Sequence, residues 1–516
     1  MNGFYGSGST DALIRVHNGT KHTEIAEEFI LPDYLPDIKR VIRADATPKV
    51  DGKYLSDGKI SFDGEVACRM LYIDEQNCLK SVTFTSAFSD SAEIACISSE
   101  CIANLLPTPE SLTCRAVNPR RVSVRMRMDT EVSVWCTRSF RPVLTGDYGA
   151  ATEVLTEEVS CVKLVCAGEN ALSAAADVEV DGALPQIGAV IACDVGMSFF
   201  ECKPNDGRVL CRGEMPITVF YSSQTDEGES YTALFRKLPI AQVITADGVA
   251  EGYECNARGS VSEVKVNVSE NGFGERRILE LDIDYRIYLN CVTNGSVTVT
   301  RDIYACDKTV EAKTENVVFN RFARNYSTTV SVNHIGESAD IFPSNTESVL
   351  GLFSRPKVKG IKLDEEGKRL VLEGVAENGA VVNCADGICG ADYAVPFKAE
   401  LEASGIPVGF DYSCDAVCMG SRARIDGGKV YTDIELQLNL MILGSEEKNA
   451  LVAANFNDKT EEEDDYGVSL RLFYPSEGET LWSIGKQFGI SRKRIAEANG
   501  ISDTSVLPAV IMIPIK

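Results

Sequence analysis

The feature that most constrains this chain is a long internal repeat. The stretch "KISFDGEVACRMLYID", Lys59 to Asp74, places Ile60, Phe62, Val66, Cys68, Met70 and Tyr72 on one parity, with mostly polar residues on the other. That alternation predicts a half-buried strand. "RVLCRGEMPITVFY", from Arg208, repeats it in register: Val209 matches Ile60, Gly213 matches Gly64, and Tyr221 matches Tyr72. Upstream, "LPDIKRVI" from Leu35 and "LPQIGAVI" from Leu184 are 149 positions apart, the same offset as Gly64 and Gly213. A third copy, "RLVLEGVAENG" from Arg369, sets Leu370, Leu372 and Gly374 on the pattern, after "SVLGLFSRPKVKG" from Ser348. A period of this length is that of a domain, much longer than a solenoid repeat.

Each copy continues into an aromatic-bearing strand, "VTFTSAF" from Val82, "YTALFRKLPI" from Tyr231 and "YAVPFKAEL" from Tyr393. Each closes on an alternating run, "RVSVRMRMDTEVSVW" from Arg121, "ILELDIDYRIYL" from Ile278 and "DIELQLNLMIL" from Asp433. Short β-branched runs broken by "SENGFGE" and "DEEGKR" predict antiparallel sandwiches or barrels. The segment after each LP element reads as a short helix. Ile38, Val41 and Ile42 fall at helical spacing, Asp37 stands at its cap after Pro36, and Gly188 interrupts the same pattern in the second copy.

Several function classes are disfavoured. The net charge of −25 argues against broad attraction to nucleic acid or an anionic membrane face. "MNGFYGSGSTDALIRVHNG" lacks the basic start and apolar run of a secretory signal, and no apolar stretch is of membrane-spanning length, so a cytoplasmic location is expected. The closest of the 18 cysteines, Cys96/Cys101, Cys161/Cys166, Cys384/Cys389 and Cys414/Cys418, form no CxxC pair, and most sit in apolar strand-like runs, which predicts small buried thiols. With three histidines, His17, His22 and His334, no metal site and no cofactor are expected. No GxSxG, GxxxxGK[ST] or HExxH occurs, "GFGERR" from Gly272 has Arg277 where a third glycine would stand, and paired carboxylates such as Asp282 and Asp284 read as a solvated sheet face. The expectation is a non-enzyme.

The start "LPDYLPDIKRVI", the strand "GKISFDGEVACRMLYID" and the closing "NPRRVSVRMRMDTEVSVW", recurring along the chain, resemble the SPOCS domains of spore-forming clostridia, formerly a domain of unknown function, over roughly residues 20 to 455. The expected fold class is mainly β: three tandem SPOCS-like repeat domains of sandwich or barrel type with short helices, at 1–150, 151–312 and 313–456. An acidic linker, 457–467 in "NDKTEEEDDYG", leads to a small βααβ module at 468–516.

In that module "VSLRLFYP" alternates as a strand, and Leu481, Ile484, Gly485 and Phe488 share a helix face. Gly489 stops this helix, Ser491 caps the next, Gly500 ends it after Asn499, and "VIMIPIK" supplies the last strand. The expected core is Leu472, Leu481, Ile484, Phe488, Ile495 and Ile511. Tyr474, Gly478-Glu479-Thr480-Leu481, Ile484, Phe488, Asn499 and Ile513-Pro514 make it resemble a LysM module, with Glu479 where an aspartate is usual and Ala509 where a glycine is usual. The resemblance implies a groove with Gly478, Glu479, Thr480 and Leu481 on one wall and Ile501 to Pro508, including Leu507, on the other. Trp482 is either a stacking face or core.

Arg471, Lys486, Arg492, Lys493, Arg494 and Lys516 against Glu477, Glu479, Glu497 and Asp503 give this region a net +2, within a chain of −25. Arg492, Lys493 and Arg494 open the second helix, where cations oppose the helix dipole, so this basic turn reads as kept for an acidic partner surface. SPOCS-like domains with a terminal LysM module are similar to clostridial spore morphogenesis proteins. The resemblance implies a mother-cell cytoplasmic protein at the forespore surface whose LysM module recruits the spore-coat morphogenetic ATPase scaffold. The other class is a glycan-binding anchor for peptidoglycan or chitin-like chains, which a chain without a secretory signal reaches less readily.

Overall fold

The computed structural model describes residues 10–95, 97–148, 151–225, 228–458, 470–502 and 506–514. The first unit runs β1 (Asp11–Ile30), β2 (Ile38–Ser56), β3 (Lys59–Asp74), β4 (Leu79–Glu93), β5 (Ile102–Asn118) and β6 (Arg121–Ser139), followed by the short β7 (Val143–Gly146). The second is β8 (Thr152–Glu179), β9 (Ala189–Val195), β10 (Ser198–Asn205), β11 (Arg208–Thr225), β12 (Gly228–Thr245), β13 (Glu254–Glu270) and β14 (Arg276–Ala305). The third is β15 (Lys308–Glu337), helix α1 (Ser338–Ile341), β16 (Thr346–Leu363), β17 (Arg369–Cys384), β18 (Gly387–Glu402), β19 (Asp411–Asp426) and β20 (Lys429–Asp458). The C-terminal module is β21 (Leu470–Phe473), α2 (Leu481–Phe488), α3 (Arg492–Asn499) and β22 (Ile511–Pro514).

Each unit packs two antiparallel sheets face to face, ordered β1-β6-β5 and β2-β3-β4 in the first, with the same plan in the other two. Sandwich, not barrel, is the outcome. The repeated motifs are the central strands of these sheets, β3, β11 and β17 in one layer and β6, β14 and β20 in the other, where one face of every strand must be apolar. The residues of one parity on β3 named above are all buried, packed against Val122, Val124, Met126 and Met128 of β6.

The glycine shared by the copies has a common cause. A Cβ on Gly64 would lie 2.0 Å from the carbonyl oxygen of Lys49, one on Gly213 2.0 Å from that of Ser198, and one on Gly374 2.6 Å from that of Lys357. The neighbouring strand bulges at each point, between Val50 and Gly52, Phe199 and Glu201, and Val358 and Gly360, which pushes its backbone across the glycine.

The LP element is a latch. Tyr72 donates its hydroxyl to the Pro36 carbonyl (3.2 Å) and Tyr221 to that of Pro185 (3.1 Å). Arg120 donates to the Leu31, Pro32 and Leu35 carbonyls and to Asp37, and Arg277 to those of Asp181 and Leu184. The third unit has α1 in that place.

The short helix expected after Asp37 is absent. Ile38, Val41 and Ile42 begin β2, and the pairing with β3 shifts register between Ile38 and Arg40 and again between Val41 and Arg43. Two bulges in six residues add one residue each to a two-residue period, and the result imitates helical spacing. The cysteines differ in one respect. Cys101, just before β5, and Cys136 of β6 are disulfide-bonded, while most of the other described thiols are free and buried or half-buried.

The three units close on one another. Leu71, Phe220 and Val381, each seven residues beyond its repeat glycine, meet in one apolar cluster with Ile73, Ile191 and Phe353. Around it Arg69 pairs with Asp194, Arg43 with Asp45 (2.5 Å) and Asp392 (3.5 Å), and Arg40 reaches the Ile388 carbonyl (2.5 Å). On the other side β8, β14, β15 and β20, 28 to 30 residues long, run past their own sandwiches. There Ile14 and Phe140 of the first unit pack with Val159, Val297 and Val299 of the second and Val317 and Phe319 of the third. β7, between the first two units, adds a parallel strand to β20 of the third.

Burial pushes the Asp45 carboxyl up, but Arg43 and Arg69 outweigh it and hold the group below its ordinary 3.8. A depressed carboxyl contributes stability that is full above 3.8 and is lost as the pH falls through the lower folded value. The junction should therefore stay closed at about pH 5 and open only under stronger acid. Hydrogen exchange at Leu71 and Phe220 against pH checks this, and Asp45→Asn should remove the acid step.

Candidate functional site

The C-terminal module is built as its punctuation predicts. Thr480 caps α2, its hydroxyl accepting from the Ser483 amide while the Ser483 hydroxyl accepts from the Thr480 amide, a reciprocal capping box. Gly489 (φ 64°) ends α2 and Gly500 (φ 61°) ends α3, both left-handed, and Ser491 caps α3. Asn499 holds α3 to β22, donating to the Ile495 and Met512 carbonyls (2.8 Å each) and accepting from the Met512 amide (2.7 Å).

Leu481, Ile484, Ile495 and Ile511 are core, with Phe488 packed against them, but Leu472 is not: it is 56% exposed. Phe473 faces inward instead and meets Phe488 edge to face at 5.3 Å. Alternation fixes a strand's two faces but not which is buried, and in a four-residue strand one aromatic decides it.

On the first wall of the implied groove Gly478 (φ 85°) and Thr480 are exposed, and Glu479 folds back so that its carboxylate accepts from the Ser476 amide (2.7 Å). Leu481 lies beneath them in the core. On the second wall Ile501 and Leu507 are half-buried against that core and Pro508 is exposed; residues 503–505 lie outside the described residues. Most of the acidic segment, 459–467, is likewise outside them, whereas Asn457 and Asp458 finish β20.

The basic turn divides. Lys493 is exposed and 3.9 Å from Glu497 one turn on, and the Arg494 side chain is exposed. Arg492 turns away, its Nε 3.3 Å from Glu153 of β8 and its guanidinium 5.0 Å from the Trp482 ring centre. Trp482 donates its indole N–H to Asp302 of β14 (3.0 Å) and meets Tyr304 edge to face at 4.9 Å. Lys486 pairs with the same Asp302 carboxylate (2.6 Å), and the Tyr304 hydroxyl donates to the Ile490 carbonyl (2.9 Å). Burial, with Glu153 adding, raises the Tyr304 phenol well above its ordinary value, so it stays a neutral donor. Trp482 and Arg492 thus face the body of the same chain. Sequence reading missed Glu153, Asp302 and Tyr304, since a contact between residues 180 positions apart leaves no local pattern.

A cavity of about 90 Å³ opens where the three units meet, lined by Arg15, Trp135, Arg258, Tyr288 and Met441 among others. Its arginines are spent across units, Arg15 on Asp411 and Arg258 on Asp415 (3.3 Å) and Glu131 (3.5 Å), which ties the units together. Among the described residues no three His, Cys, Asp or Glu side chains converge as metal ligands, and no helix is long and apolar enough to cross a membrane.

The SPOCS-domain family model, described as SipL, SPOCS domain, matches residues 37–117 and 186–269, and the LysM domain model matches 476–510. The two SPOCS segments lie in the two units with the proline latch. Comparison with curated proteins and with solved structures finds no match. The chain carries SPOCS and LysM domains, two non-catalytic families, one tied to sporulation and the other with glycan-binding capacity.

Proposed function

We propose that this carrier of SPOCS and LysM domains is a non-enzymatic adaptor in spore-envelope assembly, its LysM module binding a morphogenetic protein on the forespore surface. The partner is the coat morphogenetic ATPase scaffold, and the location is the mother-cell cytoplasm against the forespore. The three sandwiches, Asp11–Ser139, Thr152–Ala305 and Lys308–Asp458, form the body. The observation that carries the reading is the pairing of SPOCS segments with a LysM module on whose second helix Lys493 and Arg494 stand exposed. Contact on the partner runs through Gly478, Glu479, Thr480, Ile501, Leu507 and Pro508, with Leu481 supporting the wall.

A chain ending at Asp458 should keep its three units folded and fail to localise. Fluorescence microscopy of the tagged truncation at the forespore decides this, and normal encasement would end the recruitment idea. Charge reversal at Lys493 and Arg494 should weaken partner binding about tenfold and flatten its salt dependence, as rim charges do. Unchanged affinity in a titration at two salt concentrations removes the basic turn from the interface. Peptidoglycan or chitin fragments are the competing ligand, since the exposed Gly478–Thr480 wall is the one the LysM family offers to glycans.

A further inference from the structure

We infer that the open end of the β8–β14 ribbon is a built-in receptor for the LysM module, so that Trp482 is a docking residue and not a ligand-stacking one. Asp302 is the centre. Its carboxylate accepts from both the Trp482 indole and Lys486, two donors a helical turn apart on α2. Glu153, on the paired strand, faces Arg492 of the following helix.

Tyr304 fills the space between these acidic groups. Its ring meets Trp482 and its hydroxyl reaches Ile490, and a Cβ on Gly485 would stand 2.4 Å from that hydroxyl. Gly485 thus lets α2 approach the ribbon. Two acids and one aromatic on the body meet two cations and one indole on the module. The indole N–H, which needs a partner when buried, finds it there.

Docking in cis is an intramolecular event, favoured by the high effective concentration of a tethered module. It fixes the orientation of the groove: the Trp482–Arg492 face is covered, while Gly478, Thr480, Lys493, Arg494 and Pro508 remain exposed. An external partner therefore meets an oriented module and does not compete for the tryptophan.

The test needs no external partner, so its failure is separate from that of the adaptor reading. The chain has two tryptophans, Trp135 and Trp482, and Trp135→Phe leaves Trp482 as the sole indole reporter. In that full-length background, Lys486→Glu sets two carboxylates together and should raise acrylamide quenching of Trp482 at least about twofold, with a red-shifted emission. Asp302→Lys with Lys486→Glu restores the ion pair with its signs exchanged and should return part of the protection, the indole having lost its carboxylate acceptor. Quenching unchanged in Lys486→Glu overturns the docking. Protection that fades on dilution of the unmodified background overturns the cis arrangement and assigns the receptor to a second copy of the chain.

Discussion

Alanine at Gly213 should destabilise the second sandwich by about 3 kcal/mol or more, the upper range for overpacking a core. The added Cβ meets backbone, the Ser198 carbonyl oxygen at 2.0 Å and the Phe199 Cα at 3.0 Å, so no side chain can rotate away. Relief requires undoing the bulge between Phe199 and Glu201 on β10, which would slip the register of every pair down to Asn205 and Arg208. Hydrogen exchange along β10 and β11 is the readout, because a chain of several packed units has no single unfolding midpoint. Gly58→Ala is the control. It sits in a turn with φ 75° and nothing within 4 Å of a Cβ, so its cost is conformational only, about 1 kcal/mol.

Arg277→Met should cost about 3 kcal/mol, the range for deleting one member of a buried charged network. Arg277 is 9% exposed, and its guanidinium donates to the Asp181 carbonyl (3.0 Å), the Leu184 carbonyl (2.8 Å) and Glu275 (2.7 Å). Methionine keeps most of the packing volume but removes the arginine's bonds to both carbonyls, leaving Asp181 with only the Leu184 amide. Arg120→Met should act alike in the first unit, where the Leu31, Pro32 and Leu35 carbonyls lose the guanidinium and Pro32 keeps only the Leu35 amide. The loss should appear as faster exchange at Leu184–Ile187. Stability matching the parent chain would make the latch incidental.

The same elements show what the sequence can and cannot convey. Strand parity in β3 was legible because six apolar residues obey one period and share one buried face. The caps of α2 and α3 were legible because Ser491, Gly489 and Gly500 satisfy backbone groups within their own turn. The start of β2 has helical spacing because its bulges arise from pairing with β3, a partner not visible in the local pattern. The exposure of Leu472 escapes local pattern for a related reason: the faces of β21 are settled by Phe488, fifteen residues beyond Phe473.

Closure of the three units and the docking of the module depend on contacts between distant segments. The alternation of "SVTVTRDIYA" at the end of β14 predicts a strand, but not that Val297 and Val299 meet the other units and Asp302 meets Trp482. The groove walls came from resemblance, and the structure adds which of their residues are exposed and which support them.

The most direct test of the adaptor reading is equilibrium binding of the full-length chain to the coat ATPase scaffold, run beside peptidoglycan and chitin fragments. A Lys493→Glu, Arg494→Glu variant accompanies it. The account predicts saturable binding to the scaffold, weakened in the variant, and none to the glycans. Saturable binding to glycan with none to the scaffold would contradict it and make the LysM module a sugar anchor.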